Sequence, residues 1–235
     1  MWSVVITVLL LMFPGTVHAQ EHSYSDVTRE LTRTLEVLRA GEPLQIDHRR
    51  IRPDQLTLAV YEATGLRPLW TNGRAVSDLQ RAVLEVLQDG LDPEHYHLSV
   101  ITSQVEVSGA QRIADLDLLR TDALVRLSRD LRFGKAEPDG PSNTTPDAWI
   151  FGGDDGAARL IEVVRSGRIR DAVDALRPQH FVYQGLVRAL RDLRYIQGAG
   201  GWALLPAGPT MGLGSFDRRV PELRRRLGLA DDPSM

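Results

Sequence analysis

Residues 113–133 have the sequence IADLDLLRTDALVRLSRDLRF, which carries the strongest structural signal in the chain. Its apolar positions recur every three or four residues over about five turns. They are Ile113, Leu116, Leu119, Ala123, Leu127 and Leu131. This spacing predicts one long amphipathic helix, and the glycine that follows at position 134 is typical of a helix C-terminus. We expect this helix to lie at the centre of the core.

Shorter helices are predicted on both sides of this stretch, separated by glycine and proline. On the N-terminal side they cover 27–38, 53–64 and a segment opened by a capping box at 77–80. On the C-terminal side they cover 157–165, 169–176 and 180–195 after a loop at 136–155. The last of them has an apolar stripe of Leu186, Leu190 and Leu193. Strand-like alternation is absent from most of the chain, so the predicted fold class is mostly α.

The composition excludes several kinds of chemistry. The chain has 235 residues, of which 43% are hydrophobic and 25% charged, as in ordinary globular domains. A net charge of -3 gives no basic surface of the kind that nucleic-acid binding requires. The chain contains no cysteine, which excludes disulfides, thiolate metal sites and thiol catalysis.

The N-terminus resembles an export signal. Residues 4–13 are apolar apart from Thr7, and Val17-His18-Ala19 resembles a small-residue cleavage site. The run is shorter than the about 20 residues of a membrane span, and neither lysine nor arginine precedes it. We expect residues 1–19 to be cleaved and the chain to be exported to the periplasm. The alternatives are an uncleaved anchor or a buried helix.

A boundary is expected near residue 197, where several glycines follow the last long helix. The predicted domains are therefore 20–197 and 198–235. The second contains one short amphipathic segment, 220–227, which is too small to bury a core of its own. It must either dock on the first domain or open a further module.

Five segments in this order resemble the large, YcbB-type L,D-transpeptidases. Residues 61–70 (YEATGLRPLW) and 89–98 (DGLDPEHYHL) are similar to their entry motifs. Residues 116–134 and 176–186 resemble the core of their scaffold domain. Residues 200–227 resemble the segment that leads into their peptidoglycan-binding module. No single segment is a catalytic signature, and the match depends on their order over about residues 55–227.

The resemblance implies a mostly helical scaffold domain with a short C-terminal start of a peptidoglycan-binding-like module. The catalytic domain of that family, with a histidine and a Ser-x-Gly-Cys-type nucleophile motif, is expected to be absent from these residues. We therefore expect a non-catalytic exported scaffold linked to peptidoglycan cross-linking and cell-wall remodelling. One alternative is the N-terminal fragment of an active transpeptidase, which transfers an acyl group between peptide stems. Another is a periplasmic partner-binding module.

Five residues are candidates for a binding or structural motif. Tyr61, Trp70 and Trp202 would form an aromatic platform for a sugar or peptide, although core anchoring is the commoner role for such residues. Asp122 and Asp130 lie close to the apolar stripe, so one of them is a candidate buried hydrogen-bonding group. The charges around them predict a solvated face with local ion pairs: Arg120, Arg126, Arg129 and Arg132.

Metal and hydrolase chemistry are weaker interpretations. Five carboxylates and imidazoles lie within nine residues, but their spacing matches neither an EF-hand nor HExxH. They are Asp89, Asp92, Glu94, His95 and His97. A lytic glycosidase would need paired carboxylates such as Glu62 and Glu137, and nothing in the sequence places these two together. No cofactor is expected, and the expected partners are peptidoglycan or a cell-wall enzyme rather than nucleic acid or a membrane.

Overall fold

The structure is a computed structural model that describes residues 24–51, 54–103, 109–135, 155–202 and 204–227. It is 67% helical and its described part contains nine α-helices and one two-stranded sheet, which confirms the mostly α prediction. The predicted export signal lies outside the described residues, as do residues 136–154 of the predicted loop. Among the described helices, none is both long and apolar enough to cross a membrane.

The helices follow one another with short connections. In chain order they are α1 (Tyr24–Arg39), α2 (Gln55–Ala63), α3 (Gly73–Glu85), α4 (Leu98–Ile101), α5 (Ala110–Phe133), α6 (Gly156–Ser166), α7 (Ile169–Leu176), α8 (Phe181–Gly198) and α9 (Val220–Arg226). Two 3-10 helices, Val86–Asp89 and Pro93–Tyr96, lie between α3 and α4. A hairpin of β1 (Leu44–Ile46) and β2 (Arg49–Ile51) lies between α1 and α2.

Helix α5 is the centre of the core, as the sequence predicts. Helices α1, α2, α3 and α7 pack around it, and α6 packs on α2 and α7. Leu118, Leu119, Leu124 and Leu127 of α5 are fully buried. Each such leucine contributes about 1.5–3 kcal/mol relative to an exposed position. Gly134 ends the helix with a positive φ of 85°, a conformation that favours glycine.

The start of α3 differs from the predicted capping box. The helix begins at Gly73, and the side chain of Asn72 accepts a hydrogen bond of 2.9 Å from the backbone N–H of Arg74. Ser77 and Gln80 therefore lie inside the helix. The amide of Gln80 instead donates to the carbonyl of Ile101 at 2.6 Å, which ties α4 to α3. Asparagine is one of the strongest N-capping residues, and here it precedes the predicted box.

The hairpin was not predicted. Its strands pair antiparallel with Ile46 opposite Arg49, and the two turn residues, Asp47 and His48, both have positive φ. Two positive φ values fit a two-residue hairpin turn that matches the strand twist. Ile46 and Ile51 are buried and join the core. Strands of three residues are too short for alternation to distinguish them from a loop.

Helix α8 departs most from expectation. No described residue of α8 is buried, and the predicted stripe is largely exposed, with Leu186 at 64% and Leu193 at 48%. The helix packs mainly on the 3-10 helix Val86–Asp89, where Leu190 closely approaches Gly90. Helix α8 therefore has the predicted apolar stripe, but Leu190 is the residue of this stripe that packs on the 3-10 helix, and Leu186 and Leu193 stay exposed.

Candidate functional site

A buried carboxylate on α5 organises the polar interior. Asp117 is 2% exposed and accepts three hydrogen bonds. They come from the Tyr61 hydroxyl at 2.7 Å, the Leu69 N–H at 3.0 Å and the Trp70 N–H at 2.8 Å. The segment that connects α2 to α3 is thus fixed onto α5 through its own backbone.

Thr121, one turn further along α5, completes this network. Its hydroxyl oxygen accepts a hydrogen bond of 2.9 Å from the indole Nε1 of Trp70 and lies 3.0 Å from the Tyr61 hydroxyl. The Thr121 hydroxyl also donates to the backbone carbonyl of Asp117 at 3.0 Å. Both aromatic side chains therefore bury their rings and use their polar ends inside the protein, as buried tyrosine and tryptophan generally do.

Burial sets the protonation chemistry of this network. Loss of water raises the pKa of Asp117 above its ordinary value, while the hydrogen bonds from Leu69 and Trp70 oppose that shift. Burial and the nearby Asp117 charge raise the pKa of Tyr61, so its hydroxyl stays a proton donor. The tyrosine is therefore a poor candidate for a general base at neutral pH.

Asp122 lies in a second buried cluster. Its carboxylate is 3% exposed, and one oxygen forms a hydrogen bond of 2.7 Å with His97 Nε2 and an ion pair of 2.6 Å with Arg126 Nε. His97 is itself 3% exposed and has a positive φ of 60° at the start of α4. Among the described residues, its Nδ1 atom has no hydrogen-bond partner. The cluster fixes α4 against α5.

Asp130 occupies a shallower position near the end of α5. Its carboxylate accepts a hydrogen bond of 2.7 Å from the hydroxyl of Tyr96, which lies in the second 3-10 helix. Partial burial raises the pKa of Asp130, and the hydrogen bond from Tyr96 opposes the shift. Asp130 is thus half-buried, whereas Asp122, the other candidate for a buried hydrogen-bonding group, is buried.

Trp202 lies apart from the other candidates. It is 45% exposed, and the guanidinium of Arg226 from α9 stands 5.6 Å from its ring centroid. Tyr61 and Trp70 are buried at 0% and 6% exposure. The structure therefore brings Tyr61 and Trp70 into one network, places Asp122 and Asp130 in separate clusters, and does not form an aromatic platform with Trp202.

The segment around Trp202 is held together by Arg219. This arginine is 8% exposed and pairs with Asp217 through Nε at 2.9 Å and Nη2 at 2.8 Å. It also donates to the carbonyl of Pro209 at 2.6 Å. Three apolar side chains of this segment are exposed: Leu204, Leu213 and Phe216. The bonds named here stay within residues 204–227.

The five candidate metal ligands face different partners. The Asp89 carboxylate pairs with Arg177, and the Asp92 carboxylate accepts from the Glu94 N–H at 2.9 Å. Glu94 in turn pairs with Arg49. Within the described part of the chain, no three histidine, aspartate or glutamate side chains converge on a point that could hold a metal ion.

The structure describes one of the two carboxylates named above for a lytic glycosidase. Glu62 is an exposed residue of α2 whose carboxylate accepts a hydrogen bond of 3.0 Å from Arg39. Glu137 lies outside the described residues. The carboxylates of Asp117 and Asp122 are only 2% and 3% exposed and form hydrogen bonds to neighbouring elements. They are suited to holding helices together.

Asp117 and Thr121 are the central residues that sequence reasoning missed. The sequence did contain a sign that Asp117 is buried, because it lies within Leu116-Asp117-Leu118-Leu119 and both of its neighbours in sequence are leucines. A helix that is apolar on more than one face is buried on more than one face. A buried carboxylate in such a helix needs hydrogen-bond donors from the protein itself. Here the segment 61–70 supplies them.

These features define a helical domain in which the buried polar groups form hydrogen bonds between neighbouring elements of the fold. A family model described as the scaffold domain matches residues 55–190, which is more than half of the chain. The chain belongs to this family, and the match confirms the resemblance to the scaffold domain of L,D-transpeptidases. No curated protein and no solved structure matches the chain.

Proposed function

We propose that the chain is a non-catalytic, exported scaffold of the L,D-transpeptidase type that acts in peptidoglycan cross-linking and cell-wall remodelling. The observation that carries this proposal is the scaffold-domain match over residues 55–190. The export signal expected at 1–19 and the segment 200–227, which resembles the entry to a peptidoglycan-binding module, support the same location.

The chemistry of the described residues supports a non-catalytic role. Transpeptidation by this family needs a thiolate nucleophile, and the chain has no cysteine. The buried titratable groups of α5 are engaged in hydrogen bonds between helices. A scaffold of this kind would act by holding glycan or a cell-wall enzyme in place.

Deletion of the gene tests this function. We expect the fraction of cross-links made by L,D-transpeptidases to fall, and expression of the full chain to restore it. A chain without residues 1–19 is the matched control, because it should fold but stay in the cytoplasm and fail to restore the cross-links. Unchanged muropeptide profiles in the deletion strain would contradict the proposal.

The fragment alternative makes a different prediction. If the chain is the N-terminal part of an active transpeptidase, the reading frame should continue beyond the codon of Met235 into a Ser-x-Gly-Cys segment. Sequencing the locus through several hundred bases downstream distinguishes the two. An unrelated gene directly after a stop codon would exclude the fragment.

The partner-binding alternative is favoured by exposed apolar side chains. Val182, Leu186 and Leu193 of α8 are exposed, and so is Leu87 of the 3-10 helix on which α8 packs. A partner-binding module predicts that the purified chain retains a periplasmic protein and does not sediment with cell-wall sacculi. Sedimentation with protein-free sacculi would favour the scaffold proposal instead.

A further inference from the structure

Helix α8 carries an apolar stripe beside the side that packs on the rest of the domain. The packed side is that of Tyr183 and Leu190, which approach Asp89 and Gly90. At about 100° per residue, the neighbouring side carries apolar residues spaced four, three, four and three positions apart. We call them the outer stripe: Val182, Leu186, Ala189, Leu193 and Ile196.

The outer stripe is exposed although it is apolar. Val182 is 49% exposed, Leu186 64% and Leu193 48%. Ala189 is exposed as well, and Ile196 is half-buried. A contiguous apolar surface on a folded domain marks a place where another molecule binds. The alternating spacing indicates a helix as that molecule, because it is the spacing of the seam at which two helices pack in a coiled coil.

The described helices point to a second copy of the chain as the occupant. An occupying helix needs exposed apolar residues at the same spacing. The apolar faces of α1, α2, α3, α5, α6 and α7 are buried in the core. Among the described helices of more than two turns, α8 is the one whose apolar face stays exposed. A second copy therefore brings the matching stripe.

An antiparallel pair of α8 helices fits the outer stripe onto itself. Coiled-coil packing in this direction sets Val182 against Leu193 of the second copy. It also sets Leu186 against Ala189 of the second copy, so that a large side chain faces a small one. Both pairs have their midpoint between positions 187 and 188, so one two-fold axis generates all four contacts.

The charges of the helix agree with the antiparallel direction. The same register brings Asp192 level with Tyr183 of the second copy, which lies in the first turn of its α8. The N-terminus of a helix has a partial positive charge that stabilises a nearby carboxylate. The Asp192 side chain is 65% exposed and pairs with the adjacent, exposed Arg191, so it is accessible to the second helix.

The size of the contact sets its strength. Helix α8 has 18 residues and is therefore about 27 Å long. Two helices in contact over that length bury on the order of 1,000 Å², at the low end of specific interfaces. The area fits a weak dimer that forms as the concentration rises.

We propose that the chain forms a two-fold symmetric dimer in which the outer stripe of α8 packs antiparallel on the outer stripe of a second copy. The dimer covers the apolar side chains that the partner-binding alternative assigns to another protein. It rests on α8 alone and does not depend on the proposed role in the cell wall.

Sedimentation equilibrium of the purified full chain tests the dimer. We expect mostly monomer at about 1 μM and a dimer fraction that grows towards about 1 mM. Leu186→Glu should weaken the dimer at least about tenfold, because it places two charges in an apolar seam. Leu213→Glu is the control: Leu213 is also an exposed leucine, outside α8, and its replacement should change the dissociation constant less than about twofold. Circular dichroism should show both variants folded.

Disulfide formation tests the direction and register. The chain has no cysteine, so introduced thiols are its only ones. An oxidised mixture of Val182→Cys and Leu193→Cys should form disulfides between the two variants, because the proposed register places these positions opposite each other. Either variant alone should stay unlinked. Two copies of one position lie about 16 Å apart along the helix axis, beyond the about 7 Å that a disulfide spans.

Three results would overturn the proposal. One is a monomer at every concentration, which would leave the outer stripe to a different occupant. Another is equal weakening of the dimer by Leu186→Glu and Leu213→Glu, which would place the contact outside α8. The third is linkage of Val182→Cys or Leu193→Cys alone as fast as in the mixture, which would contradict the antiparallel register.

Discussion

The hydroxyl of Tyr61 donates a hydrogen bond of 2.7 Å to the buried carboxylate of Asp117, which lies 56 residues further along the chain. The same carboxylate receives the backbone N–H groups of Leu69 and Trp70. One side chain on the central helix thus fixes both the end of α2 and the approach to α3. The entry motif 61–70 is held in place by an acceptor that lies far away in sequence.

Replacement of Asp117 by asparagine should destabilise the domain by about 2–4 kcal/mol. The amide has one acceptor oxygen in place of two, and its NH₂ group would face donors that have no other acceptor. Urea unfolding monitored by tryptophan fluorescence measures the change. We expect the midpoint to fall with little change in the slope.

Asp115→Asn is the control on the same helix. Asp115 accepts a hydrogen bond of 2.6 Å from the Gln111 amide, and an asparagine oxygen can still accept it. Its stability should change by less than about 0.5 kcal/mol. Equal losses in the two variants would show that Asp117 has no special role.

Asp89→Asn should loosen α8 in particular. The Asp89 side chain is 3% exposed and holds Arg177 and Tyr183, whereas Asp174, the other carboxylate near Arg177, is 56% exposed. We expect a loss of about 1–3 kcal/mol for Asp89→Asn and less than about 0.5 kcal/mol for Asp174→Asn. Hydrogen exchange of the α8 amides should accelerate in the first variant only, and the same acceleration in both would refute this assignment.

Gly208→Ala should displace the Arg219 guanidinium from its carboxylate and carbonyl partners without affecting the helical domain. A Cβ atom at Gly208 would lie 2.7 Å from the guanidinium carbon of Arg219, so the guanidinium must move away. Gly212→Ala is the control because a Cβ at that position meets open space. The NMR signals of the Arg219 side chain and of the Pro209 backbone region should shift in the first variant and stay in place in the second. Unchanged signals in Gly208→Ala would contradict the observed packing.

The Asp217 carboxyl should titrate at an unusually low pH. Hydrogen bonds from the Arg219 side chain and backbone lower the pKa of Asp217 to about 2. A lowered carboxyl pKa means that its stabilising contribution is complete above the unfolded value of about 3.9 and is lost as the pH falls through about 2. Titration of the side-chain carboxyl carbon by NMR measures this value directly.

Arg219→Gln provides the comparison for that titration. Without the guanidinium, the pKa of Asp217 should rise towards the ordinary aspartate value of about 3.9. The stability of the unit formed by 204–227 should then depend less on pH between about 2 and 4 than in the parent protein. An unchanged Asp217 pKa in this variant would show that Arg219 is not the cause of the shift.

Much of the helical framework follows from sequence alone. The stripe from Ile113 to Leu131 predicts α5, and Gly134 predicts its end, because a helix has a local period and glycine has a local conformational preference. The Asp92 cap and the 3-10 helix Pro93–Tyr96 follow the same local rules. The order of the motifs over 55–227 also identified the family.

Local competition explains the elements that were wrong or missed. Two N-terminal signals for α3 lie close together, and the stronger asparagine cap outranks the box at 77–80. The hairpin depends on Asp47 and His48 adopting positive φ, a choice that pairing of the flanking strands stabilises. Neither the position of the α3 cap nor the hairpin can be predicted from the hydrophobic spacing of a single segment.

The helices, the family and the lack of thiol chemistry can be read from the sequence, because these depend on local spacing and on residue types. The tertiary structure was needed to show that Asp117 is the shared acceptor of Tyr61 and Trp70 and that the stripe of α8 stays largely exposed. A helix sequence shows which residues share a face, whereas burial depends on which other element covers that face. The polar network around Asp117 arises from that second step.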